Sequence, residues 1–285
     1  MHREKIYIER IKKFSERIKR QQYTKLTDLK ATYVYDKKVP IPYEKVAKTK
    51  LKPIKLGEKW GETWGCAWFR FTGKIPVNAE GKEVGAIINI DGEACLWKNG
   101  SPILGLTNKI HWYLGSAKEF IPLYNKAKGG EKVELLLEAG ANNLFGAGED
   151  DYRLKKMEIV EVNRKIITLS YDLDVLISLF ETLPEQTPRR NKIIYGLNEV
   201  CNYWNDRKGI ADCLNITAEL LSKPANSSVL TAYSIGHAHL DLAWLWPVRE
   251  TRRKGGRTFA TALKLIKEYP NYKFGASQPQ LYEWI

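Results

Sequence analysis

The chain has 285 residues, of which 44% are hydrophobic and 28% are charged, a composition that excludes a disordered or fibrous protein. At about 150 residues per domain, this length predicts two domains. No run approaches the roughly 18 apolar residues that a membrane-spanning helix needs. The N-terminal segment MHREKIYIERIKKF is charged throughout and lacks the apolar core of a signal peptide, so we expect a cytoplasmic protein without a membrane partner.

The net charge of +13 is concentrated at one end of the chain. Residues 1–60 hold 18 Lys and Arg against 7 Asp and Glu, whereas residues 61–285 hold 28 against 26. A basic segment raises the hypothesis of nucleic-acid binding, but no zinc-finger, helix-turn-helix or RNA-recognition pattern accompanies it. We therefore expect no nucleic-acid partner and interpret the charge as the solvated face of a helix.

That N-terminal helix is predicted within residues 1–30. Tyr7, Ile11, Phe14 and Ile18 recur at spacings of three and four, with charged residues between them. This spacing is typical of an amphipathic helix that packs one face on something larger.

Residues 31–165 are predicted to form a β-sandwich, because short apolar runs follow one another with Gly, Pro and Asn between them. Asn99-Gly100 predicts a hairpin turn, and Asp91-Gly92 is a second candidate. The predicted strands are TYVY (32–35), WFRFTGKI (68–75), VGAIINI (84–90), ACLWKNG (94–100), VELLLEA (133–139) and KMEIVEV (156–162).

Residues 166–228 predict a connector of three helices, since leucines recur at helical spacing and prolines end the segments. The apolar run VLTAYSIG (229–236) then predicts a buried strand. A helix from about Arg249 to Glu268, with Phe259, Leu263 and Ile266 inward, and a strand at 272–276 are expected to follow. Strand, helix and strand in this order predict the start of an α/β layer or barrel, so the fold class is α+β and multidomain.

Three polar residues alternate directly after the predicted strand: His237, His239 and Asp241. In an extended segment, residues two apart point to the same side, and imidazole and carboxylate are both zinc ligands. A hydrogen-bonded polar group at a strand end is the simpler alternative. Of other H-x-H chemistries, the metallo-β-lactamase pattern requires a histidine where this chain has Leu242, and the amidohydrolase pattern stays open.

Two tryptophans follow closely. Aromatic faces beside a polar site commonly stack on sugar rings. Trp244, three residues past Asp241, is predicted to contact a ligand, whereas Trp246, beside Pro247, is predicted to lie in the core.

The stretch GHAHLDLAWLWPVRETRRKGGRTFATALKLIKEYPNYKFGASQPQLYEWI (236–285) resembles the opening of the catalytic domain of glycoside hydrolase family 38, the class II α-mannosidases. Upstream, LGEKWGETWGCAWFRFTGKIP (56–76), DGEACLWKNGSPILG (91–105) and NNLFG (142–146) are similar to the β-rich N-terminal domain of one branch of that family. The resemblance implies a zinc-dependent retaining α-mannosidase with a β/α-barrel catalytic domain beginning at residue 229. Its substrates would be α-mannoside oligosaccharides.

The family's H-x-D motif and the tryptophan after it map onto His239, Asp241 and Trp244. By this resemblance, His239 and Asp241 would be two zinc ligands and Trp244 would flank the terminal mannose. His237, one alternation earlier, would support the ligands from behind. Zinc in this family is thought to grip the 2- and 3-hydroxyls of the sugar and to help distort its ring.

The sequence departs from the family in the groups that perform the reaction. No aspartate follows Asp241, and the carboxylates beyond it are Glu250, Glu268 and Glu283, none of which matches the family's nucleophile motif. We therefore expect an N-terminal fragment that lacks the nucleophile and the acid/base. Its zinc site would be weak and incomplete, and it would have no mannosidase activity alone.

Two further expectations follow from this departure. A companion chain could carry the rest of the barrel, and the family branch also suggests a homo-oligomer. The alternative function is a non-catalytic carbohydrate-binding or assembly module left from a split or frameshifted mannosidase.

Overall fold

The computed structural model describes residues 2–37, 39–109, 117–143, 150–205, 209–226 and 228–285. The chain forms two compact units, one of Met1–Thr24 with Glu161–Thr231 and one of Lys25–Val160 with Ala232–Ile285. The helices are α1 (His2–Lys19), α2 (Tyr43–Val46), α3 (Arg164–Thr182), α4 (Pro188–Asn205), α5 (Ile210–Leu221), α6 (Val248–Glu268) and α7 (Pro279–Glu283). The strands are β1 (Tyr23–Asp28), β2 (Lys30–Asp36), β3 (Lys52–Ile54), β4 (Lys59–Gly61), β5 (Cys66–Lys74), β6 (Val84–Asn89), β7 (Glu93–Lys98), β8 (Ser101–Thr107), β9 (Phe120–Tyr124), β10 (Lys132–Gly140), β11 (Tyr152–Arg153), β12 (Lys156–Val162), β13 (Gly236–Ala238) and β14 (Phe274–Ala276).

The first unit is helical. The predicted apolar stripe of α1 is buried at Ile11, Phe14 and Ile18, in one cluster with apolar residues of α3, α4 and α5. Helix α3 begins after Asn163, whose side-chain oxygen accepts a hydrogen bond from the Ile166 amide at 3.2 Å, as an N-cap residue does. The predicted N-terminal helix and the three helices predicted within residues 166–228 are confirmed, and the structure shows that they share one core.

The second unit contains a β-sandwich, which confirms the predicted strands. One sheet has the strand order β1-β12-β6-β9 and the other β3-β2-β5-β10-β7-β8, with β4 and β11 paired separately. Alternate residues of β5, such as Phe69 and Phe71, point into the core between the sheets and are fully buried.

The two predicted turns have different outcomes. Asn99 and Gly100 have φ values of 52° and 81° and join the antiparallel strands β7 and β8, so this hairpin is confirmed. Asp91 also has a positive φ, 59°, but β6 and β7 on either side of it belong to different sheets. The Asp91-Gly92 hairpin prediction is wrong, because β7 pairs with β10 and β8 instead of returning along β6.

The outer face of the six-stranded sheet carries polar residues that are covered by a helix. Ala94 and Leu96 of β7 point into the core, so Glu93 and Cys95 point to the opposite face. Glu138 of β10 is in register with Cys95 and lies on that face too. Helix α6 packs on β8 and β7 there, and this contact positions the loop that precedes the helix.

Two predictions for residues 229–285 are wrong. Residues 229–235 form no strand, and Leu230 and Tyr233 are 91% and 88% exposed. The strand is limited to β13, which pairs in parallel with β14. Helix α6 is confirmed, but Leu263 and Ile266 are exposed, because the face that packs on the sheet is polar.

The predicted domain boundaries stay a prediction. Among the described helices, none has the length and apolarity required to cross a bilayer.

Candidate active site

A cavity of about 610 Å³ lies beside the carboxyl end of β13, between α6 and the outer edge of the sandwich. The loop from His239 to Pro247 connects β13 to α6 and forms one wall, and β8 contributes Gly105 and Thr107 to another. His237, His239, Asp241 and Trp244, the residues that the sequence singled out, all line this cavity, as does Trp246.

His239 and Asp241 come together at the rim. The His239 Nε2 atom lies 3.3 Å from Asp241 Oδ1, and both side chains are partly exposed, 65% and 41%. Ligand bonds of about 2.1 Å at a tetrahedral zinc would place the nitrogen and the oxygen about 3.4 Å apart. The pair therefore fits two positions of such a site. No group of three or more His, Cys, Asp or Glu side chains that could hold a metal ion occurs in the part of the chain that the structure describes.

His237 lies within β13, opposite Gly275 of β14. Its side chain is exposed and lines the same cavity. His237 therefore lies in the strand, whereas His239 and Asp241 lie in the loop that follows it. A supporting role for His237 stays a prediction.

Gln278 is a site residue that sequence reasoning missed. Its Nε2 lies 3.1 Å from Nδ1 of His239. Side-chain amide orientation is an assignment, and the flipped amide would accept a hydrogen bond from Nδ1–H and leave Nε2 of His239 free to bind a metal. The signal was present in principle, because Gln278 follows β14 just as His239 follows β13, and parallel strands end at one edge.

The two tryptophans have different environments. Trp246 is 7% exposed, and its Nε1 donates a hydrogen bond to the Thr251 hydroxyl at 3.0 Å. Trp244 is 59% exposed and meets Trp246 edge to face, with ring centroids 5.9 Å apart. Trp244 is therefore a largely exposed indole on the wall of the cavity, a type of side chain that suits a sugar ring.

Buried charges connect α6 to the sheet at the wall of the cavity, which Glu93, Lys254 and Arg257 line. Lys254 Nζ and Arg257 Nη2 each lie 2.7 Å from Glu93 Oε2, and Arg257 also pairs with Glu250. Arg253 Nη1 lies 3.0 Å from Glu250 Oε2. Burial favours the neutral acid at Glu250, but Arg257 and Arg253 outweigh it and hold the pKa of this carboxyl below its usual range.

Each of the three carboxylates beyond Asp241 has a polar or charged partner on its own helix, α6 or α7. Glu250 is buried in the ion pairs just described. Glu268 pairs with Lys264 one turn earlier on α6, and Glu283 accepts a hydrogen bond from Gln280. None of these glutamates lines the cavity, which fits their lack of resemblance to a nucleophile motif.

The comparison with known families decides the family. Residues 24–161 match the alpha-mannosidase jelly roll domain, and residues 229–285 match the N-terminal domain of the glycosyl hydrolases family 38. The chain belongs to glycoside hydrolase family 38. The β-sandwich is accordingly a jelly roll, and the resemblance seen in the sequence is confirmed. Of the NNLFG stretch that supported it, residues 144–146 lie outside the described residues.

Relatives in this family are much longer than the chain. It is 30% identical over 300 residues to Alpha-mannosidase G of Dictyostelium discoideum, which covers 98% of this chain and 27% of the relative. It is 28% identical over 260 residues to Alpha-mannosidase 2C1 of Homo sapiens, covering 86% and 24%. The chain thus spans about a quarter of the length of these curated relatives.

A solved structure offers a more distant likeness. A β-glucuronidase from Ruminococcus gnavus in complex with C6-substituted uronic isofagomine superposes with a TM-score of 0.30 at 12% identity, covering 50% of this chain and 30% of the other.

Proposed function

We propose that the chain supplies the first zinc ligands and a sugar-stacking tryptophan of a retaining α-mannosidase that acts on α-mannoside oligosaccharides. The observation that carries the proposal is the 3.3 Å contact between His239 Nε2 and Asp241 Oδ1 in the cavity that Trp244 also lines. Both donors are of the types that zinc binds, and the relatives of the chain in Dictyostelium discoideum and Homo sapiens are named alpha-mannosidases.

Each residue has a defined task in this proposal. His239 and Asp241 hold the metal, and Gln278 fixes the imidazole ring through Nδ1. When bound, zinc would offer open coordination positions to two neighbouring hydroxyls of the sugar. Trp244 presents its indole face to the apolar side of the same ring. Trp246 keeps Trp244 in place by the edge-to-face contact.

Retention of configuration requires a nucleophilic carboxylate and a second carboxyl that acts as acid and then as base. The described glutamates between residues 242 and 285 do not line the cavity, and Glu250 is neutralised by arginines. We therefore assign both catalytic carboxyls to further units of the barrel, of which β13, α6 and β14 would be the first. Those units could belong to the same polypeptide or to a companion chain. They would cover the exposed apolar side chains of Leu230, Tyr233 and Leu245.

Zinc titration tests the ligand assignment. Because two protein ligands are fewer than a zinc site normally has, we expect calorimetry on the 285-residue chain to give a dissociation constant weaker than about 1 µM. His239→Ala and Asp241→Asn should each abolish the heat of binding, whereas His237→Ala should retain most of it. A sub-micromolar site lost in His239→Ala would show that the site is complete, and full binding by that variant would remove His239 from it.

A further inference from the structure

Glu93 of the jelly roll holds cations that belong to the helix beyond the candidate site. It is 3% exposed, and its Oε2 atom accepts from Lys254 Nζ at 2.7 Å, Arg257 Nη2 at 2.7 Å and Asn142 Nδ2 at 2.6 Å. Charge-assisted hydrogen bonds in a buried setting are short and directional. One carboxylate oxygen on strand β7 therefore fixes two side chains of α6.

Lys254 carries this constraint to the loop. Its ammonium lies 4.9 Å from the centroid of the Trp246 ring, within the range of a cation–π contact. Lys254 is itself 4% exposed, so the ammonium is largely removed from water. Its position between a carboxylate and an indole face links the sheet to Trp246.

Trp246 and Thr251 complete the connection to the site. Trp246 Nε1 donates to the Thr251 hydroxyl at 3.0 Å, and that hydroxyl donates to the Leu242 carbonyl at 2.5 Å. Thr251 is fully buried in the first turn of α6. The backbone directly after Asp241 is thereby held against the helix.

We propose that Glu93 is a positioning residue for the loop that carries Asp241 and Trp244. It acts through Lys254, which it anchors against Trp246, and this role rests on the proposed function of the loop. A strand paired on both sides is a more rigid reference than a loop beside a cavity. The jelly roll thus takes part in site geometry through one buried carboxylate.

Hydrogen exchange in the 285-residue chain, without zinc or sugar, tests the proposal. Glu93→Gln keeps the shape of the side chain and removes the charge, so Lys254 loses its carboxylate partner. We expect the Trp246 indole N–H, assigned with Trp246→Phe, and the amides of residues 242–246 to exchange at least about tenfold faster than in the parent. The exchange rates of the β6 amides, which belong to the other sheet, should change only as far as global stability changes.

The matched control is Glu138→Gln. Glu138 also accepts a hydrogen bond from a buried cation of α6, at 3.0 Å, but that cation is Arg253. The cation that contacts Trp246 is Lys254. We expect this variant to lose stability while the Trp246 indole keeps its protection relative to β6. Equal effects of the two substitutions on the indole would overturn the proposal, since Glu93 would then be only a structural ion-pair partner.

A second pair of variants covers the case in which Glu93→Gln folds poorly. Glu93→Asp keeps the negative charge but shortens the side chain by one methylene, so the carboxylate lies further from Lys254. It should accelerate indole exchange less than Glu93→Gln does. Adding Lys254→Met to Glu93→Gln removes the ammonium that has lost its carboxylate partner and keeps an apolar side chain on Trp246. The Trp246 indole should therefore regain its protection from exchange. A double variant that exchanges as fast as Glu93→Gln would contradict a role through Lys254. Zinc binding is measured separately, so failure of the proposed function would be seen independently.

Discussion

Replacing Glu250 by leucine is expected to lower the free energy of unfolding by about 3–5 kcal/mol, because the buried cations Arg253, Lys254 and Arg257 are then left with two carboxylates, Glu93 and Glu138, and one positive charge is uncompensated. Glu250 is 3% exposed and lies between Arg253 and Arg257. Urea unfolding followed by circular dichroism measures the loss. Glu268→Leu is the control on the same helix: its ion pair with Lys264 is more exposed, so the change should stay below about 1 kcal/mol. Equal effects of both substitutions would contradict the buried network.

Glu250 should also contribute to acid sensitivity. The pKa of this carboxyl in the folded chain lies below its ordinary value of 4.5, since Arg257 and Arg253 outweigh the effect of burial. The unfolded chain therefore binds more protons at Glu250 as the pH falls below about 4.5. Its stabilisation is full above that pH and is lost as the pH falls through the lower folded value. Urea midpoints between pH 6 and pH 3 should fall less steeply for Glu250→Gln than for the parent.

Replacing Phe69 by alanine is expected to cost about 3–5 kcal/mol of jelly-roll stability through lost burial and a cavity. Phe69 is fully buried, stacks with Tyr33 and Phe71 at 5.5 and 5.8 Å, and meets Trp60 edge to face at 5.3 Å. The loss can be measured by urea unfolding.

The exposed aromatic Tyr233, which is 88% exposed, provides the comparison. Tyr233→Ala should change the free energy of unfolding by less than about 0.5 kcal/mol. If Phe69→Ala were as mild as Tyr233→Ala, the core between the two sheets would not be packed as described.

Local patterns in the sequence predicted the helices and strands well, but they predicted less well which face of each one is buried. The spacing in α1 and the alternation in β5 each have one apolar face, and both faces are buried in the structure. In α6 the same reasoning placed Leu263 and Ile266 inward, and it was wrong. The buried face is charged, and its partner Glu93 lies about 160 residues away in the chain, so no local period could reveal it.

The residues of the candidate site were also predicted only in part. Alternation predicted that His237, His239 and Asp241 would share one face. All three line one cavity, and His239 and Asp241 lie 3.3 Å apart in it. Gln278 was missed because several polar residues follow β14. Only the parallel register of β13 and β14 shows which of these residues lies beside His239. The strand predicted at 229–236 is wrong since only its last residue, Gly236, finds a paired strand among the described residues.

A chimera tests the assignment of His239 and Asp241 most directly. Residues 236–285 would replace the matching segment of full-length Alpha-mannosidase G, and hydrolysis of p-nitrophenyl α-mannoside would be measured. The chimera should be active. Asp241→Asn and His239→Ala should each lower kcat/KM by at least about 100-fold, and the exposed Tyr269→Ala should leave it unchanged. An active chimera in which Asp241→Asn retains full activity would contradict the assignment of this loop as the zinc-binding part of the site.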